Sequence, residues 1–437
     1  MNNSYKDIRK HVDSIRLVDT HEHLPQEGER VNKIVDVLSQ FYLHYTSSDL
    51  RSAGMSMEDI LYIRDTKIPL DYRWAVFEPW WEKIKNTGYS RCMEIAAREL
   101  YGVDGINAET YKQLSRKMMD RNKKGLYKWV LNEKAGIDIC ILDTIAENCE
   151  VDKELFAPVL RVSEYASPRN KKDLETLGKQ FGNPIHNLGD YINLVKRRFD
   201  TLEGKVVAVK IALAYDRSIH FEKRTYSEAE ESLNKVFKTR GFSWTPIEGT
   251  EYSEVVQDGP GREELLPLQD FLVHLTIQEA SKRGLPIQIH TGLHEGNQNM
   301  VQNSNPELLV NLFLEYGDAK FDIFHGGWPY SSQLSALAKN FPNVYIDMCW
   351  MHIISPSRAI SALDEWLDEV PVNKIMGFGG DYLCVEGSYG HSVMARENVA
   401  KVLTKKVDDG VYDIDEAKKY ATWVLRDNPQ RLFFPEK

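Results

Sequence analysis

The chain has 437 residues, 42% hydrophobic and 27% charged, with 17 prolines spread along it, a composition that excludes a disordered or low-complexity protein. A formal net charge of -10 excludes the basic footprint of a nucleic-acid binder, and the short basic runs at 121–124 and 196–198 read as solvated helix faces. No apolar stretch reaches the length of a membrane span and residues 1–10 lack the apolar core of a signal peptide, so a cytoplasmic protein without a membrane partner is expected.

Taken in chain order, short β-branched runs end in polar or glycine-rich residues and are followed by helical periodicity. That alternation is the pattern of a parallel sheet wrapped by helices. The runs fall at 15–19, 137–142, 158–162, 206–213, 286–290, 321–324, 344–347 and 374–378. Eight of them favour a closed (β/α)8 barrel, an α/β fold of the TIM type, over an open doubly wound sheet. Residues 24–133 stand between the first two runs and hold Trp74, Trp80 and Trp81 with helical patterns at 91–100 and 108–124. This insertion is expected to be a helical cap over one barrel mouth. A second insertion, 218–264 after the fourth strand, carries mixed charge at 226–238 and a glycine-rich turn at 258–261. Helices at 306–316 and 333–340 separate the later strands. With no repeat and no linker, residues 1–437 read as one barrel domain bearing two insertions.

Five cysteines (Cys92, Cys140, Cys149, Cys349 and Cys384) are odd in number, scattered and free of a CxxC pair. They read as reduced thiols rather than a disulfide frame or a thiolate metal site.

His21 and His23 lie two apart at the end of the first run, so period-two geometry points both imidazoles to one face. Two imidazoles converging there suit a borderline-soft divalent ion such as zinc. His290 ends the fifth run before Thr291-Gly292, His325 ends the sixth before Gly326-Gly327, and Asp381 follows Gly379-Gly380 after the eighth. Each polar residue stands where an apolar strand meets a glycine-bearing loop, the place from which barrel enzymes project their chemistry. Any one of these histidines alone reads as a hydrogen-bonded structural group, and Asp381 alone as a helix N-cap; their coincidence in one pattern favours a site.

Asp-Thr-His-Glu-His at 19–23, His-Thr-Gly at 290–292, His-Gly-Gly at 325–327, Gly-Gly-Asp at 379–381 and Asn-Pro-Gln-Arg-Leu-Phe at 428–433 together resemble the amidohydrolase superfamily, nearest its amidohydrolase-2 branch. The resemblance covers residue 15 to the C-terminus and is strongest after Pro286. It implies a metal held or bordered by His21, His23, His290 and Asp381, with Asp381 as general base and His325 polarising the substrate or shuttling a proton.

Lys210, inside an apolar fourth run where an unpaired lysine is costly to bury, is left with three readings. These are a carbamylated lysine bridging two metals, as in binuclear members of the superfamily, a ligand for a substrate carboxylate, and a structural partner of an acidic neighbour. One essential divalent ion is expected, zinc first and manganese second, with a second ion open. Arg217, His294, Trp328, Tyr330, Trp350 and Tyr382, just past strand ends, are the expected lining for a small carboxylate-bearing substrate. His391 and the cap residues Arg73, Tyr89 and Arg91 are further candidates for the site's surroundings.

The expected activity is metal-dependent hydrolysis of an amide, lactone or related bond. Decarboxylation or uronate isomerisation on the same site is the alternative, and a non-catalytic binding barrel ranks last. A small-molecule substrate and a homo-oligomer are expected as partners. No GxGxxG or P-loop follows a strand, so no nucleotide cofactor is expected.

Overall fold

The computed structural model describes residues 3–144, 150–238 and 262–435. Cys149 and the turn at 258–261 lie outside them. The chain is laid out as two compact units, Met1–Ala157 with Glu295–Asn297 and Ile346–Lys437, and Pro158–His294 with Gln298–Tyr345.

In the first unit β1 (Leu17–Glu22), β2 (Ile137–Leu142) and β3 (Phe156–Pro158) form a sheet in that order. β1 and β2 run parallel, with Leu17 opposite Ile137 and Asp19 opposite Cys140. All six residues of β1 are buried.

In the second unit β4 (Leu160–Arg161), β5 (Val209–Ile211), β6 (Ile287–Ile289) and β7 (Phe321–Ile323) pair in parallel, each with the next. β5, β6 and β7 are buried throughout, as parallel strands covered on both faces must be. β8 (Val344–Asp347) begins in this unit and ends in the first, where Ile346 and Asp347 pair with β9 (Ile375–Met376). Beyond β9, the Phe378 carbonyl accepts from the Thr20 N–H at 3.2 Å, so the segment after the last strand lies along the first.

Helices follow the strands. Leu188–Leu202 comes before β5, Arg262–Lys282 before β6, Ser331–Asn340 before β8, Pro356–Glu369 before β9 and Val385–Asp408 after it. This alternation of parallel strands and helices is the (β/α)8 class expected from the sequence. All eight runs fall on strands; the third, 158–162, contains the end of β3 and all of β4.

The segment 24–133 is helical. The pattern at 91–100 is the helix Gly88–Tyr101, started by Thr87 accepting from the Ser90 N–H, and the pattern at 108–124 is Tyr111–Arg121. Leu70–Ile84 was masked by Pro79, yet Trp74, Phe77, Trp81 and Ile84 repeat at helical spacing on its buried face. Trp74 stacks on Tyr111 at 4.4 Å and the Trp81 indole donates to the Ile106 carbonyl at 2.7 Å, so these tryptophans make the core of the helical segment itself. Arg73 likewise turns inward: its guanidinium pairs with Asp36 and donates to the Ile63 and Ile68 carbonyls. Among the described residues no helix is long and apolar enough to cross a membrane.

Candidate metal centre

In the first unit, strand pleat and one loop build a three-atom cradle. β1 carries His21 to its end and His23 follows one residue beyond. Their Nε2 atoms come within 3.3 Å of each other, with ring planes at 90°. Asp381 Oδ1 lies 3.4 Å from His23 Nε2 and 3.9 Å from His21 Nε2. Asp381 reaches back because its backbone sits at φ 50° and its N–H donates to the His21 carbonyl at 2.7 Å. His23 N–H donates in turn to the Tyr382 carbonyl at 3.2 Å. The helix after β9 starts only at Val385, with Cys384 at its cap position, so Asp381 is not a helix N-cap.

The donor set fits a divalent cation. The Asp143 carbonyl, an acceptor only, takes a hydrogen bond from His23 Nδ1 at 3.1 Å. In the neutral ring Nε2 therefore keeps its lone pair and faces the Asp381 oxygen at 3.4 Å with no proton between them. A cation between two acceptors so placed removes their repulsion. Ligands about 2.0–2.1 Å from a tetrahedral zinc stand about 3.3 Å apart, close to the two shorter edges of this triangle. The Asp143 carboxylate, 4.0 Å from His23 Nδ1, joins the two histidines in a group able to hold a metal. The sequence reading missed Asp143, although its position directly after β2 is the signal used for Asp381.

Beneath the cradle two carboxyls crowd together. Burial raises the Asp19 carboxyl to about 7, against hydrogen bonds from Gly380 N–H at 2.9 Å and His21 N–H at 3.1 Å. Burial, then the charge of Asp19, lifts Glu22 well above the carboxylate range, while the Tyr382 N–H donates to it at 2.9 Å. The pair holds the loop after β9 against the end of β1.

Beside the cradle stands an aromatic wall. His44, at φ 54°, packs on Tyr89, Trp350 and Tyr382 with ring centroids 5.5–5.9 Å away. Burial lowers His44 to about 4, the charge of Asp381 working against the shift and that of His23 with it. Nothing local marks His44, since it starts a helix inside the insertion rather than ending a strand. Trp350 and Tyr382 are fully buried in this wall. His391 is buried too, its Nδ1 3.0 Å from the Gly380 carbonyl. Arg91 lies at the rim of a cavity of about 390 Å³ that Tyr45 and Tyr89 also line.

The second unit gathers the remaining candidates. Lys210, Gln288 and Asp322 stand side by side on β5, β6 and β7, forming a buried polar row with Gln288 donating to Asp322 at 3.3 Å. The Lys210 ammonium lies 4.1 Å over the Phe324 ring. His290 Nε2 donates to the Leu293 carbonyl at 3.0 Å, so its Nδ1 accepts from His325 Nε2 at 2.9 Å. Both nitrogens of His290 are thus engaged within this unit. Burial, then His325, His294 and Lys210, push it well below the ordinary histidine value. His325 stands at φ 63°, and His294 stacks on His290 at 5.2 Å and meets the Tyr215 ring at 4.8 Å, tilted by 48°.

Arg217 is employed by the fold, pairing with Asp270 at 2.7 Å and donating to Ser218, His220 and Gln269. Trp328 and Tyr330 are half-buried in the loop after β7, where the Trp328 carbonyl accepts from the Leu293 N–H at 2.8 Å.

Comparison with known proteins agrees with this architecture. The model of the Amidohydrolase family matches residues 249–434. A stretch of 178 residues, 39% of the chain, is 30% identical to Protein fluG of Emericella nidulans, and the chain spans only 20% of that protein's length. In fold the chain is similar to a uronate isomerase from Thermotoga maritima, with a TM-score of 0.80 at 16% identity over 99% of this chain and 98% of that one. A glucuronate isomerase from Caulobacter crescentus gives 0.76 at 14% identity over 99% and 94%. A Lactobacillus casei protein named provisionally as a metal-dependent hydrolase gives 0.65 at 17% over 98% and 97%. Residues 249–434 thus match the Amidohydrolase family, and the fold is the one these three solved structures share.

Proposed function

We propose that this protein is a metal-dependent enzyme of the amidohydrolase superfamily that hydrolyses an amide, lactone or related bond in a small carboxylate-bearing molecule. The observation that carries the reading is the triangle of His21 Nε2, His23 Nε2 and Asp381 Oδ1, with edges of 3.3, 3.4 and 3.9 Å, a spacing that suits three ligands of one cation. A divalent ion there, zinc before manganese, supplies Lewis acidity and lowers the pKa of water toward neutrality. His21 and His23 hold it. The Asp381 carboxylate, on the open edge of the triangle, is the group that takes the proton from the attacking water. Buried Trp350 and Tyr382 give the site an apolar flank that strengthens every electrostatic contact made there.

Isomerisation of a uronate is the second reading. It is supported by the fold-wide likeness to two proteins named as uronate and glucuronate isomerases, and the same carboxylate would then move a proton between carbons of the substrate. The test is metal analysis of protein purified without chelator, followed by a parallel screen of amides and lactones against uronates. About one equivalent of a divalent metal, lost in a His21→Ala, His23→Ala variant, with turnover of an amide or lactone, is the expected result. Turnover of uronates alone selects the isomerase reading, and absence of metal uptake overturns both. Asp381→Asn is expected to lower turnover by about 10²–10⁴ with the fold intact, and near-wild-type activity would remove Asp381 as the base.

A further inference from the structure

The aromatic wall beside the cradle is also a chain of hydrogen bonds. The Trp350 indole N–H is a donor only, and it donates to the Tyr89 hydroxyl. That hydroxyl also lies 2.8 Å from His44 Nδ1. Tyr89 is buried, so its own hydrogen needs an acceptor, and among the described residues His44 Nδ1 is the acceptor present. If His44 carried its proton on Nδ1, the Tyr89 oxygen would accept twice and its hydroxyl hydrogen would be buried without a partner. The direction of the chain is therefore set at its Trp350 end: indole to phenol, phenol to imidazole.

The consequence falls on the far side of the His44 ring. With Nδ1 accepting, the neutral imidazole carries its proton on Nε2, and no described residue takes a hydrogen bond from that nitrogen. His44 is turned toward this region by its left-handed backbone at φ 54°, and it packs on the Tyr382 ring, next in sequence to Asp381. The ring is close enough to the cradle to feel the charges of Asp381 and His23.

We infer that Tyr89 and Trp350 are positioning residues that lock His44 in the Nε2–H form, so that the helical insertion supplies a neutral hydrogen-bond donor beside the cradle for a carbonyl or carboxylate oxygen of the substrate. A fixed donor of this kind stabilises charge that develops on an oxygen during reaction without reorganising. The inference rests on the reading above for the oxygen it serves; the tautomer does not, and is read with or without metal.

The test is long-range proton–nitrogen NMR of protein labelled at histidine, with His44→Gln identifying the His44 signals. The expected spectrum shows a pyrrole-type Nε2 and a pyridine-type Nδ1 for His44. Tyr89→Phe should shift that balance toward the Nδ1–H form, and Trp350→Phe, which keeps the phenol, should shift it less. Oxalate, a dicarboxylate probe titrated into metal-loaded protein, should move the Nε2–H signal and bind His44→Leu, which has no donor, at least fivefold more weakly. A wild-type His44 protonated on Nδ1, or a Tyr89→Phe protein with an unchanged His44 signature, overturns the relay. Equal oxalate affinity in wild type and His44→Leu overturns the donor role even where the metal site stands.

Discussion

At Asp381 a residue with a β-carbon sits in the left-handed region, at a cost of about 1–3 kcal/mol that the neighbouring hydrogen bonds must offset. His325 and Trp350, each just past a strand, share that conformation, so strained backbone marks the ends of three strands. For Asp381 the holding device is Gly380. A Cβ there would overlap Glu22 Oε1 and come within 3.2 Å of Asp19 Oδ2, the carboxyls that receive the Tyr382 and Gly380 amides. Gly380→Ala is therefore expected to destabilise the protein by about 1–3 kcal/mol and to weaken metal binding, because the displaced loop draws Asp381 away from His23. Denaturant unfolding and a zinc titration check both, and a variant with wild-type values would show that the loop has room. Gly-Gly-Asp was legible in sequence as a motif. The reason for its second glycine was not, since Asp19 and Glu22 lie some 360 positions away.

The helical segment is tied down at the level of elements. Arg30, from Glu27–Val31, donates to Glu386 at 2.9 Å, and the Tyr101 hydroxyl donates to the same oxygen at 2.8 Å. Both ions are buried, so Glu386→Ala leaves the Arg30 charge uncompensated and is expected to cost about 3–5 kcal/mol by chemical denaturation. A loss below 1 kcal/mol would mean that water replaces the carboxylate. Gly88–Tyr101 and Val385–Asp408 meet almost backbone to backbone: a Cβ on Gly390 would overlap the Cys92 carbonyl and lie 2.7 Å from its Sγ. Only two helices of the 24–133 segment were read from periodicity, 91–100 and 108–124. Short helices such as Val37–Phe41 and Tyr45–Ser52 hold too few turns to show a period, and every residue of the former is buried, which erases the polar face that the pattern needs.

Across the whole molecule, buried neutral histidines make acid the natural stress. Burial lowers His44, His294 and His352 to about 4 and His391 to about 3. In the unfolded chain these groups take a proton near 6.5, so between about 6.5 and 4 the unfolded state binds more protons and stability falls as pH falls. For His352, held by the Gly377 carbonyl at 2.9 Å, the loss is on the order of 3 kcal/mol. Urea midpoints at pH 7.5, 5.5 and 4.5 should decline together, and His352→Gln should flatten the decline; equal midpoints would show that these rings protonate in place.

The sequence by itself determined the parallel strands, because short β-branched runs alternating with helical periodicity are a local pattern, and it determined which polar residues stand at their ends, because period-two geometry and glycine-bearing turns are local too. Only the tertiary structure decided that Asp143 and His44 join His21, His23 and Asp381, that Arg217 is taken by Asp270, and that His290 spends both nitrogens on Leu293 and His325. Most of those are facts of proximity between residues far apart in the chain, and hydrogen-bond partnership is set by where groups meet, which local pattern does not encode.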